Sequence, residues 1–271
     1  MLHLREIALK PIPAELDRTF PFGIPAVQSL QSIELTAPVT FLVGENGSGK
    51  STLIEGLACA VDIPAVGGEP LRSDSTLDSV RPLADYLKLT WTVRNRNGFF
   101  LRAEDFFGFA KRIQQLEADL KADEVRIKEE YDASGRTDYA RGLQLGPIYK
   151  ELAALKRRYG DGLDSQSHGE SFLMLFQNRF VPNGIYLLDE PEAPLSPIRQ
   201  LGFLGLLKEM VETQKAQFII ATHSPILMAY PGAQILSFDG GKVEEVGWDS
   251  LEHVTLTRDF LNDPETFLRY M

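Results

Sequence analysis

Apolar and polar positions follow three rhythms along this chain, and each rhythm predicts a kind of element. Near-continuous apolar runs at Val39–Val43, at Ile185–Leu188 closing on Asp189, and at Phe218–Ala221 closing on Thr222 and His223 read as strands buried on both faces. Strict alternation of Leu87, Leu89, Trp91 and Val93 with Lys88, Thr90, Thr92 and Arg94 predicts a half-buried strand. Residues 1–10, with Leu2, Leu4, Ile7 and Leu9, read as a further strand stopped by Pro11 and Pro13. Asn97-Gly98 predicts a hairpin turn returning through Phe99–Leu101, and Asp239-Gly240-Gly241 a second hairpin between Ile235–Phe238 and Lys242–Val246.

The third rhythm is helical. Leu53, Ile54, Leu57, Ala58 and Val61 share one face of a helix starting near Lys50. Phe106, Phe109, Ile113, Leu116 and Leu120 predict a helix over 104–132, broken at Ser134-Gly135 and followed by a second over 147–158. Further helices are expected through Phe180, over 198–213 and in the last twenty residues, the last packing on the sheet through Leu256, Phe260, Leu261 and Phe267. Residues 14–32 are more loop than element, and an aromatic there, Phe20 or Phe22, either stacks on a purine ring or plugs the sheet edge. Strands interleaved with helices make an α/β chain.

Between the run at Val39–Val43 and the helix at Lys50 lies Gly44-Glu45-Asn46-Gly47-Ser48-Gly49-Lys50-Ser51-Thr52, which fits G-x-x-x-x-G-K-[ST]. The glycines let the backbone turn tightly and aim successive N–H groups at the β- and γ-phosphates of a nucleotide. The helix start adds its positive dipole end. Lys50 brings a mobile cation to the same oxygens, and the Ser51 hydroxyl suits Mg²⁺. The loop predicts binding of a nucleoside triphosphate.

Hydrolysis needs a metal against the phosphate oxygens and a group that orients water. Leu187-Leu188-Asp189-Glu190-Pro191 offers both, with Asp189 suited to the Mg²⁺ shell and Glu190 to general-base work. His223 ends another buried strand, at the edge where ligands sit in open α/β sheets. Ser167-His168-Gly169-Glu170 opens a helix, and by itself is a capping box with Ser167 three residues before Glu170.

Composition narrows the partners. A net charge of −10 argues against a surface broadly built for nucleic-acid phosphates, and the short cluster Lys156-Arg157-Arg158 reads as a solvated helix face. With 44% hydrophobic and 24% charged residues the chain has the makings of a sizeable core. No apolar run is long enough to span a bilayer, the first residues lack a signal-peptide pattern, and Cys59 has no partner for a disulfide. The expectation is a cytoplasmic protein without membrane insertion.

The order of these motifs resembles the ABC-type ATPase superfamily over nearly the whole chain. That resemblance implies a P-loop NTPase fold of ABC type, with a mixed sheet core flanked by helices, an antiparallel β part and a helical insertion. It implies one domain over 1–271, with a nucleotide-binding core at 1–101 and 181–271 and an insertion with a signature helix at 102–180. By it, Gly44–Ser51 is the Walker A loop, Glu45–Thr52 bind ATP, Leu187–Glu190 is the Walker B strand, and His223 is the switch histidine. Lys50, Glu190 and His223 become the catalytic set, and Ser51 and Asp189 the Mg²⁺ ligands. Ser167, Gly169 and Glu170 sit where the family's Ser-Gly-Gly-Gln signature would be, with His168 in place of Gly and Glu170 in place of Gln. Ser196 replaces the usual D-loop aspartate, and the Q-loop position reads Arg102-Ala103-Glu104, making Glu104 a candidate for metal or water. These departures look more like small stand-alone ATPases grouped with RecF-like, SMC-like and overcoming-lysogenization-defect-like proteins than like transport ATPases. The resemblance implies an ATP-dependent homodimer, paired head to tail, that hydrolyses ATP and drives a partner such as a nuclease in DNA repair or anti-phage defence. The other reading is the ATPase subunit of a membrane transporter.

Overall fold

The structure is a computed structural model and describes residues 2–134, 138–159 and 168–269. The chain divides into two compact units, 1–103 with 180–271, and 104–179.

Among the described residues, the first unit holds every strand. β1 (Leu4–Leu9), β2 (Ser32–Glu34) and β4 (Leu87–Trp91) form an antiparallel sheet in the order β2-β1-β4. In it Ile7 stands opposite Ile33 on one side and Leu89 on the other. β3 (Val39–Val43), β5 (Gly98–Arg102), β6 (Ile185–Asp189), β7 (Gln217–Ala221), β8 (Gln234–Ser237) and β9 (Glu244–Glu245) form the second sheet, in the order β5-β6-β7-β3-β8-β9. All its pairings are parallel except β8 with β9. Every residue of β3, β6 and β7 is buried, as continuous apolar strands require. Around these sheets run the helices α1 (Pro25–Gln28), α2 (Lys50–Val61) and α3 (Arg81–Tyr86). A mixed α/β architecture with a mostly parallel sheet is what the motif order implied.

Two buried glutamines join the sheets. The Gln217 Oε1 atom accepts from the His3 and Leu4 amides, both at 2.9 Å, and its Nε2 donates to the Leu4 carbonyl at 2.9 Å. Gln234 Nε2 donates to the Glu34 carbonyl at 2.9 Å, while its Oε1 accepts from the Thr36 amide at 3.2 Å and the Thr40 hydroxyl at 3.3 Å. A buried amide side chain is stable only when its donors and acceptors are met, and here backbone of Leu4 and Glu34 in the first sheet and of the flanking His3 and Thr36 meets most of them.

The second unit is helical, with α4 (Ala103–Ser134) entering it, then α5 (Asp138–Tyr159) and α6 (His168–Arg179). At 32 residues, α4 is about 48 Å long. Its exposed stretch carries the i,i+4 pairs Glu117–Lys121 and Glu124–Lys128. Phe106 and Phe172 meet edge to face at 4.6 Å, as do Phe172 and Phe176. The first unit closes with α7 (Pro197–Gln214), α8 (Pro225–Met228), α9 (Glu252–Asn262) and α10 (Pro264–Leu268). Among the described residues no helix is long and apolar enough to cross a membrane.

Three expectations are corrected. Asn97-Gly98 is no hairpin turn, because β4 pairs with β1 while β5 pairs in parallel with β6. Glycine is needed at 98 for another reason: its φ is +126°, and a Cβ would lie 1.8 Å from the Ile185 carbonyl oxygen. The second helix of the insertion begins at Asp138 and runs through Pro147 rather than starting there. The C-terminal helices do not lay their apolar residues on the sheet: Leu256 is 52% and Leu261 70% exposed. Instead α9 meets α8, with His253 Nε2 3.2 Å from Met228 Sδ.

Candidate active site

β3, β7 and β6 are neighbours and parallel, so their C-terminal ends open on one edge of the sheet. β3 delivers the phosphate loop there, β6 delivers Asp189 and Glu190, and β7 delivers Thr222 and His223. Five residues singled out from the sequence, Lys50, Ser51, Asp189, Glu190 and His223, come to this edge.

Loop shape depends on glycine at two points. Gly44 has φ +142°, and a Cβ would fall 2.9 Å from Asp239 Oδ1. Gly49 has φ +106°, with Ile24 Cγ2 2.8 Å from its would-be Cβ. Asp239 also fixes the loop's first turn, accepting from the Glu45 amide at 2.9 Å. Lys50 is buried, and its Nζ donates to the Gly44 carbonyl at 2.7 Å and the Glu45 carbonyl at 2.9 Å. Burial pushes its pKa below the ordinary lysine value, with Asp189, Glu190, Asp239 and Glu192 pulling the other way.

Asp189 is the most perturbed acid of the site. Burial pushes its pKa up to about 7, helped by Glu190 and Glu55 and opposed by a hydrogen bond from Ser51 and by Lys50. Its Oδ1 is buried without a hydrogen-bond partner among the described residues. A buried, unsatisfied carboxylate oxygen beside a hydroxyl is a fitting half-shell for a hard divalent cation, whose other ligands are phosphate oxygens and water. The donor set therefore fits Mg²⁺.

Glu190 has φ +50°, a strained setting for a non-glycine residue, and its amide donates to the Ala221 carbonyl at 2.9 Å. Its Oε1 lies 3.9 Å from His223 Nε2. Burial, with Lys50 adding to it, holds the His223 pKa below the usual value, against the pull of Glu190. Glu190, His223, Glu45 and Asn46 line a cavity of about 520 Å³. An adjoining one of about 340 Å³ is lined by the loop from Asn46 to Thr52, by Glu190, and by Phe20 and Ile24. Of the two aromatics in this stretch, Phe22 is buried edge-on against Tyr86 at 5.0 Å, whereas Phe20 is 57% exposed beside the phosphate loop.

The remaining predicted residues fall in the 104–179 stretch of the chain. Glu104 belongs to the helical unit, at the second position of α4. Gly169 and Glu170 fall in the first turn of α6 in the same unit, and Ser167 lies outside the described residues. Two residues at the site escaped the sequence reading. Asp239 looked like a hairpin residue only, and Glu192 was hidden as a third acid behind Asp189 and Glu190. The Glu192 Oε1 atom accepts from the His223 amide at 2.7 Å, and burial raises its pKa.

A family model described as an AAA domain matches residues 21–62, the segment holding the phosphate loop and α2. The phosphate import ATP-binding protein PstB of Aeropyrum pernix is 25% identical over 211 residues, 77% of this chain and 79% of its own. Among solved structures, cbiO1 of Clostridium perfringens, part of the ABC transporter complex cbiONQ, aligns over 100% of both chains with a TM-score of 0.50 and 16% identity. The Smc head domain of Pyrococcus furiosus, bound to the C-terminal domain of ScpA, aligns over 96% of this chain and 100% of its own, with a TM-score of 0.47 and 13% identity. In fold and in the motifs at its strand ends, this chain resembles the ABC-type ATPase superfamily.

Proposed function

We propose that this chain binds and hydrolyses ATP, working as a head-to-tail dimer that closes on ATP. The observation that carries the reading is the convergence of the phosphate loop, the Asp189-Glu190 strand end and His223 on one sheet edge. Glu45–Thr52 would wrap the β- and γ-phosphates, with Lys50 leaving its loop carbonyls for the phosphate oxygens. Phe20 would face the adenine ring. Ser51 and Asp189 would hold Mg²⁺, which when bound neutralises charge on those oxygens. In the chemical step the oxygen of a water bonds to the γ-phosphorus and the bond to the β–γ bridging oxygen breaks. Glu190 takes the water's proton, and ADP and inorganic phosphate leave. His223, beside Glu190, would face the γ-phosphate.

The whole chain acts as one module in this reading, with the core at 1–101 and 181–271 and the insertion at 102–180. Ser167, Gly169 and Glu170 of one copy would close on the nucleotide of the other, and Glu104 would contact metal or water. The module would work in the cytoplasm and drive an effector, such as a nuclease, in DNA repair or anti-phage defence. Similarity to a phosphate import ATP-binding protein favours a second reading, the ATPase subunit of a transporter. Co-purification separates the two: a permease supports the second and a nuclease the first.

The test of the dimer is the mass in solution of Glu190→Gln with and without Mg·ATP. The mass is expected to double only with ATP. Tight ATP binding with an unchanged mass would remove the clamp and with it the role proposed for Ser167, Gly169 and Glu170.

A further inference from the structure

His223 reaches the site with little holding its ring. Its Nε2 is buried without a hydrogen-bond partner among the described residues, and the nearest acid, Glu190, is 3.9 Å away. Its main chain, by contrast, is tied down. The His223 amide donates to Glu192 Oε1 at 2.7 Å, a short bond of the charge-assisted kind. The Thr222 hydroxyl next to it accepts from the Ser224 amide at 3.0 Å, and the second Glu192 oxygen, Oε2, is buried without a hydrogen-bond partner among the described residues, so the His223 amide is the carboxylate's hydrogen-bond partner there. On the other side Glu192 sits in a wound turn, where the Ala193 amide donates to the Glu190 carbonyl at 3.1 Å and the Leu195 amide to the Glu192 carbonyl at 2.8 Å. The ends of β6 and β7 are thus laced twice, once by the Glu190 amide on the Ala221 carbonyl and once by Glu192 on the His223 amide.

We propose that Glu192 is a positioning residue of the ATPase site, fixing His223 relative to Glu190 through its hydrogen bond to the His223 amide. Its work is done by an acceptor oxygen at the right reach. It neither takes a proton from substrate nor holds the metal. This inference rests on the hydrolytic role proposed for Glu190 and His223, but the bond at its centre is measurable without any turnover.

Three variants test it. Glu192→Gln keeps an acceptor at the same reach, Glu192→Asp keeps the charge but is one methylene short, and Glu192→Ala loses both. Because a shift of about 1 Å in a reacting group costs up to roughly 10²-fold, kcat is expected to fall about 30–100-fold in Ala and Asp and to stay within about 3-fold of wild type in Gln. KM for ATP should hold within about 3-fold in all three, since the phosphate loop is untouched. In a His223→Ala background, adding Glu192→Ala should change kcat by less than about 2-fold, because a residue acting only through His223 has nothing left to position. A Gln variant as impaired as Ala, an additive double variant, or an Ala variant at wild-type rate would each overturn the proposal. The amide proton signal of His223 gives a readout independent of hydrolysis. It should lie downfield in wild type and in Gln, and move upfield in Ala and Asp. If the wild-type chain hydrolyses no ATP, the functional reading fails while this signal still decides whether Glu192 holds His223; an unmoved signal in Ala sinks the positioning role.

Discussion

Replacing Gln217 with leucine should be among the most damaging single changes outside the site. The two side chains are similar in volume, so no large cavity forms. What disappears is three hydrogen bonds, from the His3 and Leu4 amides to Oε1 and from Nε2 to the Leu4 carbonyl. Gln217 is fully buried, so solvent does not replace them in place. A buried backbone group left without a partner costs about 1–3 kcal/mol, which for three groups sums to about 3–9 kcal/mol. Relaxation of β1 near its start recovers part, and burying a more apolar side chain returns about 1 kcal/mol, leaving an expected loss of about 3–5 kcal/mol. Against a total stability of about 5–15 kcal/mol, that is a large share. Urea unfolding followed by intrinsic fluorescence measures it as a lower midpoint at unchanged slope. Gln217→Glu sharpens the test: when protonated it still donates to the Leu4 carbonyl, when ionised it does not. Its folded-state pKa is raised above the unfolded value of about 4.3, so the penalty is absent below that pH and grows as pH rises above it. A Leu variant within about 0.5 kcal/mol of wild type, or a Glu variant whose deficit is the same at pH 5 and pH 8, would show that the glutamine is incidental to joining the sheets.

Glu190→Gln should lower turnover about 10²–10⁴-fold, the worth of a general base, with ATP affinity retained in a binding titration. Phe20→Ala should weaken ATP about 3–10-fold yet leave tripolyphosphate binding unchanged, as loss of one aromatic face predicts; equal weakening of both ligands would take Phe20 off the base. Gly98→Ala should yield little folded protein on expression, because the added Cβ would meet the Ile185 carbonyl oxygen at 1.8 Å inside the β5–β6 pairing. Above pH 10 the fold should weaken through Tyr186, whose hydroxyl is pushed up to about 12 by burial. The folded-state pKa lies above the unfolded one, so stability is whole below pH 10 and is lost as pH climbs toward 12, by at most about 2.7 kcal/mol. Tyr186→Phe should flatten that part of an alkaline denaturation curve.

Much of the site was legible along the chain because its chemistry is local. The phosphate-loop motif is nine consecutive residues between a buried strand and a helix, and the β6 and β7 runs end on the residues proposed for the site, Asp189, Glu190 and His223. Parallel strands buried on both faces read as near-continuous apolar runs, so their extent and their polar terminators are written in the sequence. Pairing is not local, and it decided the rest. Asn97-Gly98 carries the same two letters whether it turns a hairpin or lets β6 pass close by, and only the partner strand distinguishes them. Gln217 and Gln234 look like ordinary polar residues at strand starts until the first sheet brings its backbone to them from about two hundred positions away. Glu192 and Asp239 read as a spare acid and a turn residue. They acquire meaning when folding sets them against the amides of His223 and Glu45, because a hydrogen bond is specified by position in space and leaves no period in the chain.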